Sequence, residues 1–275
     1  MWKLFFLITF SLATTQAIRA QNIYQTLELA GHYQGLGMHE TASKYYRRAL
    51  FFGDDSIQKA SYAKIAECLL LSENYSESIF FYGLAANTAT SDSLKTEYTF
   101  MRVLAYILID NDDYALQHLY TINFADSGYF FRKYHFYHGI ISLNRNDIAE
   151  SKQHFITSAA DSLEIQHITN LYHDLKVHRP NPATAKTLSI IFPGAGQAYA
   201  GDIRGALNSF LLNAGLGTLA VYTALNYSFL EGATSIMPWL IRYYMGGFGH
   251  AQATAIQTQR EKKQRLIREI ILEKK

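Results

Sequence analysis

The sequence predicts an all-α protein: a solenoid of short helix pairs followed by an α-helical transmembrane hairpin. Three observations carry this reading. From Ile23 to about Leu163 apolar residues recur at helical spacing, with no strand-like alternation bounded by hairpin turns. Within that stretch small residues return at Ala30, Ala66, Ala105 and Gly139, at intervals of 36, 39 and 34 residues. Beyond Pro180 and Pro182 the composition turns apolar, and Ile203 to Tyr227 carries one charge, Arg204, at its entrance.

Composition limits the classes of function. Only 17% of the 275 residues are charged, whereas 49% are hydrophobic and 14% aromatic. Such a chain has ample material for a packed core and argues against disorder. A net charge of +2 gives no broad field for nucleic acid, so none is expected as a partner. The single cysteine, Cys68, allows no intramolecular disulfide and falls on an apolar helix face, where it is expected to be a buried, inert thiol.

Residues 1–20 have the pattern of a secretory signal peptide. Lys3 supplies the positive start, Leu4 to Leu12 the apolar centre, and Ala17 or Ala20 the small residue before cleavage. The apolar run is shorter than the roughly 20 residues that span a bilayer. A cleaved signal puts the rest of the chain outside the cytoplasm.

Residues 21–178 are expected to form the repeats. The first unit carries Leu29, Ala30, Tyr33, Ala42, Tyr46 and Ala49. Small Ala30 and Ala42 let two helices approach closely, and the tyrosines fill the space between neighbours. The second unit sets Ile65, Ala66, Leu69, Ser78, Tyr82 and Ala85 in the same places. The third aligns through Leu104, Ala105, Leu108 and Tyr114, and the fourth through Gly139 and Phe155. Polar turns separate the helices of each pair, among them Ser72–Asn74, Asp110–Asp113 and Asn144–Asp147. The acidic turn at Asp110–Asp113 lacks the Gly and the distal Glu of a calcium loop and reads as a helix cap. This pattern resembles the tetratricopeptide repeat, and the resemblance implies a groove that binds a protein or peptide. Its groove face would fall on Tyr24, Leu27, Gly31 and Gln34. A capping helix over Asp161–Val177 then ends before Pro180.

Residues 179–255 hold the junction and the hairpin. Pro193, Gly194, Gly196, Gln197, Tyr199, Gly201 and Gly205 precede the long apolar helix, and Tyr244, Gly246 and Gly247 lie in the second one. These residues are similar to the two-transmembrane-helix domain family, with its Pro-Gly-x-Gly-Gln-x-Tyr-x-Gly pattern. Fusion to such repeats looks like Bacteroidetes-type envelope proteins. The resemblance implies a membrane location rather than a reaction. Physically, the glycines permit unusual backbone shapes, Gln197 can satisfy freed backbone groups, and Tyr199 suits the headgroup level. Pro238 and Arg242 weaken the second crossing, and Lys186–Phe192 is available for a third. Residues 256–275 read as a basic amphipathic tail, suited to anionic lipid or to solvent.

No catalytic pattern emerges. His135 and His138 lie one helical turn apart without the H-E-x-x-H carboxylate, and the Gly motif is not a nucleotide fingerprint. No metal, cofactor or enzymatic activity is expected. The expected function is that of a membrane-anchored envelope scaffold whose repeats hold a protein or peptide. The alternative is a membrane-embedded part of a transport or membrane-protein assembly complex, suggested by Asn208, Asn213 and Arg242 within apolar segments.

Overall fold

The computed structural model describes residues 23–124 and 127–273, so the expected signal peptide lies outside the described residues. Among the described residues all regular structure is helical, as the sequence predicts. The chain divides into two compact units, residues 1–141 and 142–275.

The first unit is built from α1 (Ile23–Gly35), α2 (His39–Phe52), α3 (Asp55–Leu71), α4 (Tyr75–Asn87), α5 (Asp92–Leu108) and α6 (Asp112–Leu119). Helix α7 (Tyr129–Asn144) comes next and runs across the division. From α1 to α6 each helix packs on the next. Side-chain caps start three of them: Asp54 Oδ1 accepts from Ile57 N, Ser91 Oγ from Leu94 N, and Asn111 Oδ1 from Tyr114 N. Ala30, Ala42, Tyr46, Ile65, Ala66, Cys68, Leu69, Phe81 and Tyr82 form one buried cluster, with Tyr33 packed against it. The repeat positions of the first two units are therefore core positions.

The repeat shows most plainly in its turns. Gly37, Glu73, Asp110 and Asn146 all adopt left-handed backbone, with φ of 74°, 63°, 56° and 64°. The residue after each donates its N–H back over the turn: Met38 to Tyr33 O, Asn74 to Leu69 O, Asn111 to Tyr106 O and Asp147 to Ser142 O. This is the bond of a left-handed helix cap. Five residues beyond each turn stands a small, fully buried residue: Ala42, Ser78, Ala115 and Ser151. The turns recur every 36, 37 and 36 residues.

That phase corrects the third unit. Aligned on its turn, Val103 rather than Ala105 occupies the place of Ala30 and Ala66, and Ala115 the place of Ala42. Leu108 and Tyr114, expected inside, are 45% and 53% exposed. The Leu104–Ala105 pair imitates Leu29–Ala30, but the turn geometry sets the phase.

The second unit contains α8 (Ile148–Ser158), α9 (Ser162–Leu175), α10 (Pro182–Ile191), α11 (Ala195–Ala200), α12 (Ile203–Asn226) and α13 (Met237–Glu273). Asp161 caps α9 through Glu164 N, and Asn181 Oδ1 caps α10 through Ala183 N and Thr184 N, with Pro182 in the first turn. A single turn, Phe229–Glu231, and a π-turn, Gly232–Ile236, join α12 to α13. The π-turn sits directly before Pro238 and absorbs the mismatch that a proline brings to a helix.

The apolar helix pair is thus present as α12 and the first part of α13. Its membrane crossing is not shown: no helix among the described residues is long and apolar enough to cross a membrane. The reason is composition. Asn208, Asn213 and Asn226 dilute the hydropathy of α12, and α13 runs on into the basic tail. Nor is α10 a third crossing, since ten residues rise only about 15 Å. The tail itself is packed. Leu266 and Ile270 are buried, and Lys263 Nζ bonds Asn144 O at 3.3 Å and Asn146 Oδ1 at 2.7 Å.

Candidate functional site

The Pro193–Gly205 stretch is a junction of four helices. Phe192 and Pro193 end α10, Gly194 turns the chain into the six-residue α11, and Gly201 turns it again into α12. Gly194 combines a φ of 95° with a close approach, since a β-carbon there would lie 2.4 Å from Ala206 O. At Gly196 a β-carbon would lie 1.9 Å from Ala185 O. Only glycine lets α11 sit this tightly on α10 and α12.

Gln197 is the hub. Its side chain is fully buried, and its Oε1 accepts from Ser189 Oγ at 2.8 Å. Ser189 Oγ in turn accepts from Gly196 N at 3.0 Å, and Gln197 Nε2 donates to Gly247 O at 2.8 Å. One continuous chain of hydrogen bonds therefore joins α10, α11 and α13, each bond polarising the next. Tyr244 adds to it, its hydroxyl donating to Ile190 O. Tyr199 is tied to protein: its hydroxyl accepts from Asn181 N at 3.1 Å. Gly205 N donates to Asp202 Oδ1 at 2.8 Å and starts α12, while Gly246 faces the cleft between α12 and α13. The structure thus brings all ten motif residues into one junction and the hairpin that leaves it.

Two hollows flank the α12–α13 pair. One, of about 400 Å³, is apolar and lined by Pro193, Phe210, Ala214, Leu240, Ile241 and Tyr244. The other, of about 530 Å³, is the more polar of the two, with Asp202, Asn208, Ser209, Arg242 and His250 on its walls. Asn213 borders both. Sequence reading singles out Asn208, Asn213 and Arg242 but misses Asp202 and His250, which lie 48 positions apart and meet only through the antiparallel pairing.

The outer surface of the pair is inverted relative to a water-soluble one. Leu207, Leu211, Leu219, Val221, Leu225, Phe229 and Leu230 are exposed, and no Asp, Glu, Lys or Arg occurs between Arg204 and Glu231. Polar side chains turn back on their own helix: Asn213 bonds Ser209 O, Thr218 Ala214 O, Thr223 Leu219 O and Asn226 Tyr222 O. Each bonds a carbonyl four residues back without water.

The four groove residues expected on α1 do not share one open face. Tyr24 and Gly31 are exposed, but Leu27 packs on the core and Gln34 accepts the Tyr46 hydroxyl at 2.9 Å. A feature absent from the sequence reading is the edge-to-face pair Phe51 and Phe52 at the end of α2, 79% and 68% exposed. His138 is buried, with Nε2 3.4 Å from the Tyr120 hydroxyl, and burial lowers the pKa of neighbouring His135.

Fold and site together define a chain of helix-turn-helix repeats that carries an apolar helix pair. Comparison with protein-family models, curated proteins and solved structures finds no match for it.

Proposed function

We propose that this protein is a membrane-anchored scaffold of the bacterial cell envelope. The α12–α13 pair is its anchor, and its tetratricopeptide-like repeats bind a protein or peptide on the periplasmic side. The observation that carries the anchor is the inverted surface of the pair. Exposing so many large apolar side chains to water is costly at about 25 cal/mol per Å², and patches of this extent mark contact with lipid or protein. Helix α12, with 24 residues, is about 36 Å long, which matches a hydrocarbon core of about 30 Å. Its back-bonded polar groups can leave water cheaply, so a pair of modest hydropathy can still enter a bilayer. The repeats supply the second half of the reading: an array of helix pairs presents grooves between its helices, and the exposed Phe51–Phe52 pair is an aromatic contact of the kind partners select.

The test uses the full chain in its own membranes. The wild type stays in the membrane pellet after alkaline carbonate extraction. The triple variant Leu211→Lys, Leu219→Lys, Leu225→Lys, at positions that tolerate lysine on a water-facing surface, moves to the supernatant. A wild type released by carbonate would overturn the anchor. A photo-crosslinking residue at Phe52 or Tyr24 yields a discrete protein adduct in cells, and no adduct at either would overturn the partner reading.

A further inference from the structure

We infer that the polar cleft between α12 and α13 is a binding site for a phosphoglycerol group, the headgroup of a glycerophospholipid. This site rests on the anchor reading and gives that anchor a specific ligand. Two groups in the cleft are incompletely partnered by protein: one lacks a hydrogen-bond donor and the other an anion. Asn213 is only 7% exposed; its Nδ2 donates to Ser209 O at 2.8 Å, while its buried Oδ1 has no hydrogen-bond partner. A buried acceptor left unmade is costly, and it calls for an O–H or N–H donor from whatever fills the cleft. Arg242 is the second. Its guanidinium lies over the Trp239 ring, 6.0 Å from the centroid, and no carboxylate among the described residues pairs with it. Arg242 is exposed at the cleft, without an anionic partner, and its planar fork fits phosphate best.

The remaining walls suit the same ligand. Asn208 and Ser209 offer further polar contacts at the cleft wall. At the other end Asp202 caps Gly205 N and its second oxygen lies 4.0 Å from His250 Nδ1, so that carboxylate faces a histidine. An anionic phosphate pairs with Arg242, and a hydroxyl on the same ligand supplies the donor that the buried Asn213 Oδ1 lacks. A neutral polyol leaves Arg242 without an anion. Leu212 and Tyr243 complete the wall and lead to the apolar surface on which acyl chains would lie.

The experiment uses full-length protein in detergent, in a Trp2→Phe background, so that emission reports Trp239 beside Arg242. The probes are short-chain phosphatidylglycerol, short-chain phosphatidic acid, the matching diacylglycerol and glycerol 3-phosphate. Phosphatidylglycerol is expected to give a saturable change and diacylglycerol none. Arg242→Gln is expected to weaken phosphatidylglycerol at least tenfold, with Arg242→Lys intermediate. Asn213→Leu is expected to weaken phosphatidylglycerol more than phosphatidic acid, which lacks the headgroup glycerol and its hydroxyls. Glycerol 3-phosphate binding as tightly as the lipid would assign the cleft to a soluble phosphoester and overturn the lipid source. Equal binding by Arg242→Gln, or by diacylglycerol, would overturn the site itself. A protein that carbonate releases but that still binds phosphatidylglycerol loses only the anchor reading; one that is retained and binds nothing loses only the lipid site.

Discussion

Cys68 shows how burial sets chemistry at the scale of one residue. It is fully buried in the cluster around Ala66 and Leu69, and burial, with Glu67 adding to it, pushes its thiol up to about 11. A thiolate is the reactive form, so the folded protein is expected to resist iodoacetamide at pH 8 and to alkylate fully in denaturant. Rapid alkylation of the native chain would contradict this placement. His118 behaves in the opposite sense. It stacks on Tyr106 at 5.3 Å, and burial, helped by Arg102, lowers its pKa from 6.5. The unfolded state therefore binds the proton more readily than the folded one. Its contribution to stability is present above pH 6.5 and is lost as pH falls below that value. Urea midpoints are expected to fall between pH 7 and pH 5, and less steeply in His118→Gln. An unchanged slope in that variant would remove His118 as a cause.

Among the elements, the turns are the informative units. Glycine at Gly37 adopts the left-handed form freely, whereas Glu73 holds the same backbone at a cost of about 1 kcal/mol for a residue with a β-carbon. Glu73→Gly is therefore expected to stabilise by up to about 1 kcal/mol, and Gly37→Ala to destabilise by a similar amount, read from urea unfolding. Nothing lies within 4 Å of a β-carbon at Gly37, so the effect there is conformational. These turns also show what the sequence could and could not reveal. Ala30, Ala42, Ala66 and Ser78 are legible because small residues at fixed spacing leave a pattern in composition. The third unit is not, because left-handed backbone at Asp110 leaves no such pattern and the apolar Leu104–Ala105 pair nearby imitates the repeat. The junction is legible as glycines and Gln197, since close helix approach requires them. Gly247 is legible as a glycine, but its bond to Gln197 is not, because a hydrogen bond spanning 50 positions has no local signature, and Ser189 carries no mark that sets it apart from other serines. The tail reads as an amphipathic helix on lipid or in solvent because its basic face dominates, yet Leu266 and Ile270 pack inside.

For the molecule as a whole, the path of α13 decides which ends share a side of the membrane. Helix α13 is continuous from Met237 to Glu273, so it carries the chain from the hairpin tip back past the junction. Its later part is bonded to backbone that precedes the hairpin: Gln259 to His178 O, Lys262 to Arg179 O, and Lys263 to Asn144 O and Asn146 Oδ1. All of these residues belong to the second compact unit. If the α12–α13 pair enters a bilayer, residues 144–179 and the basic tail must then lie on one side and the Ser228–Glu231 tip at the far end. An odd number of crossings would pull Lys263 away from Asn144. The basic tail favours the cytoplasmic side, whereas the expected signal places the repeats outside it, and the packed tail ties the two signals together. Single cysteines at Arg145, Lys262 and Leu230 in a Cys68→Ala background separate the outcomes. In sealed spheroplasts an impermeant maleimide is expected to treat positions 145 and 262 alike, and position 230 differently. Opposite labelling at 145 and 262 would show that α13 crosses without returning, and would overturn the two-crossing anchor.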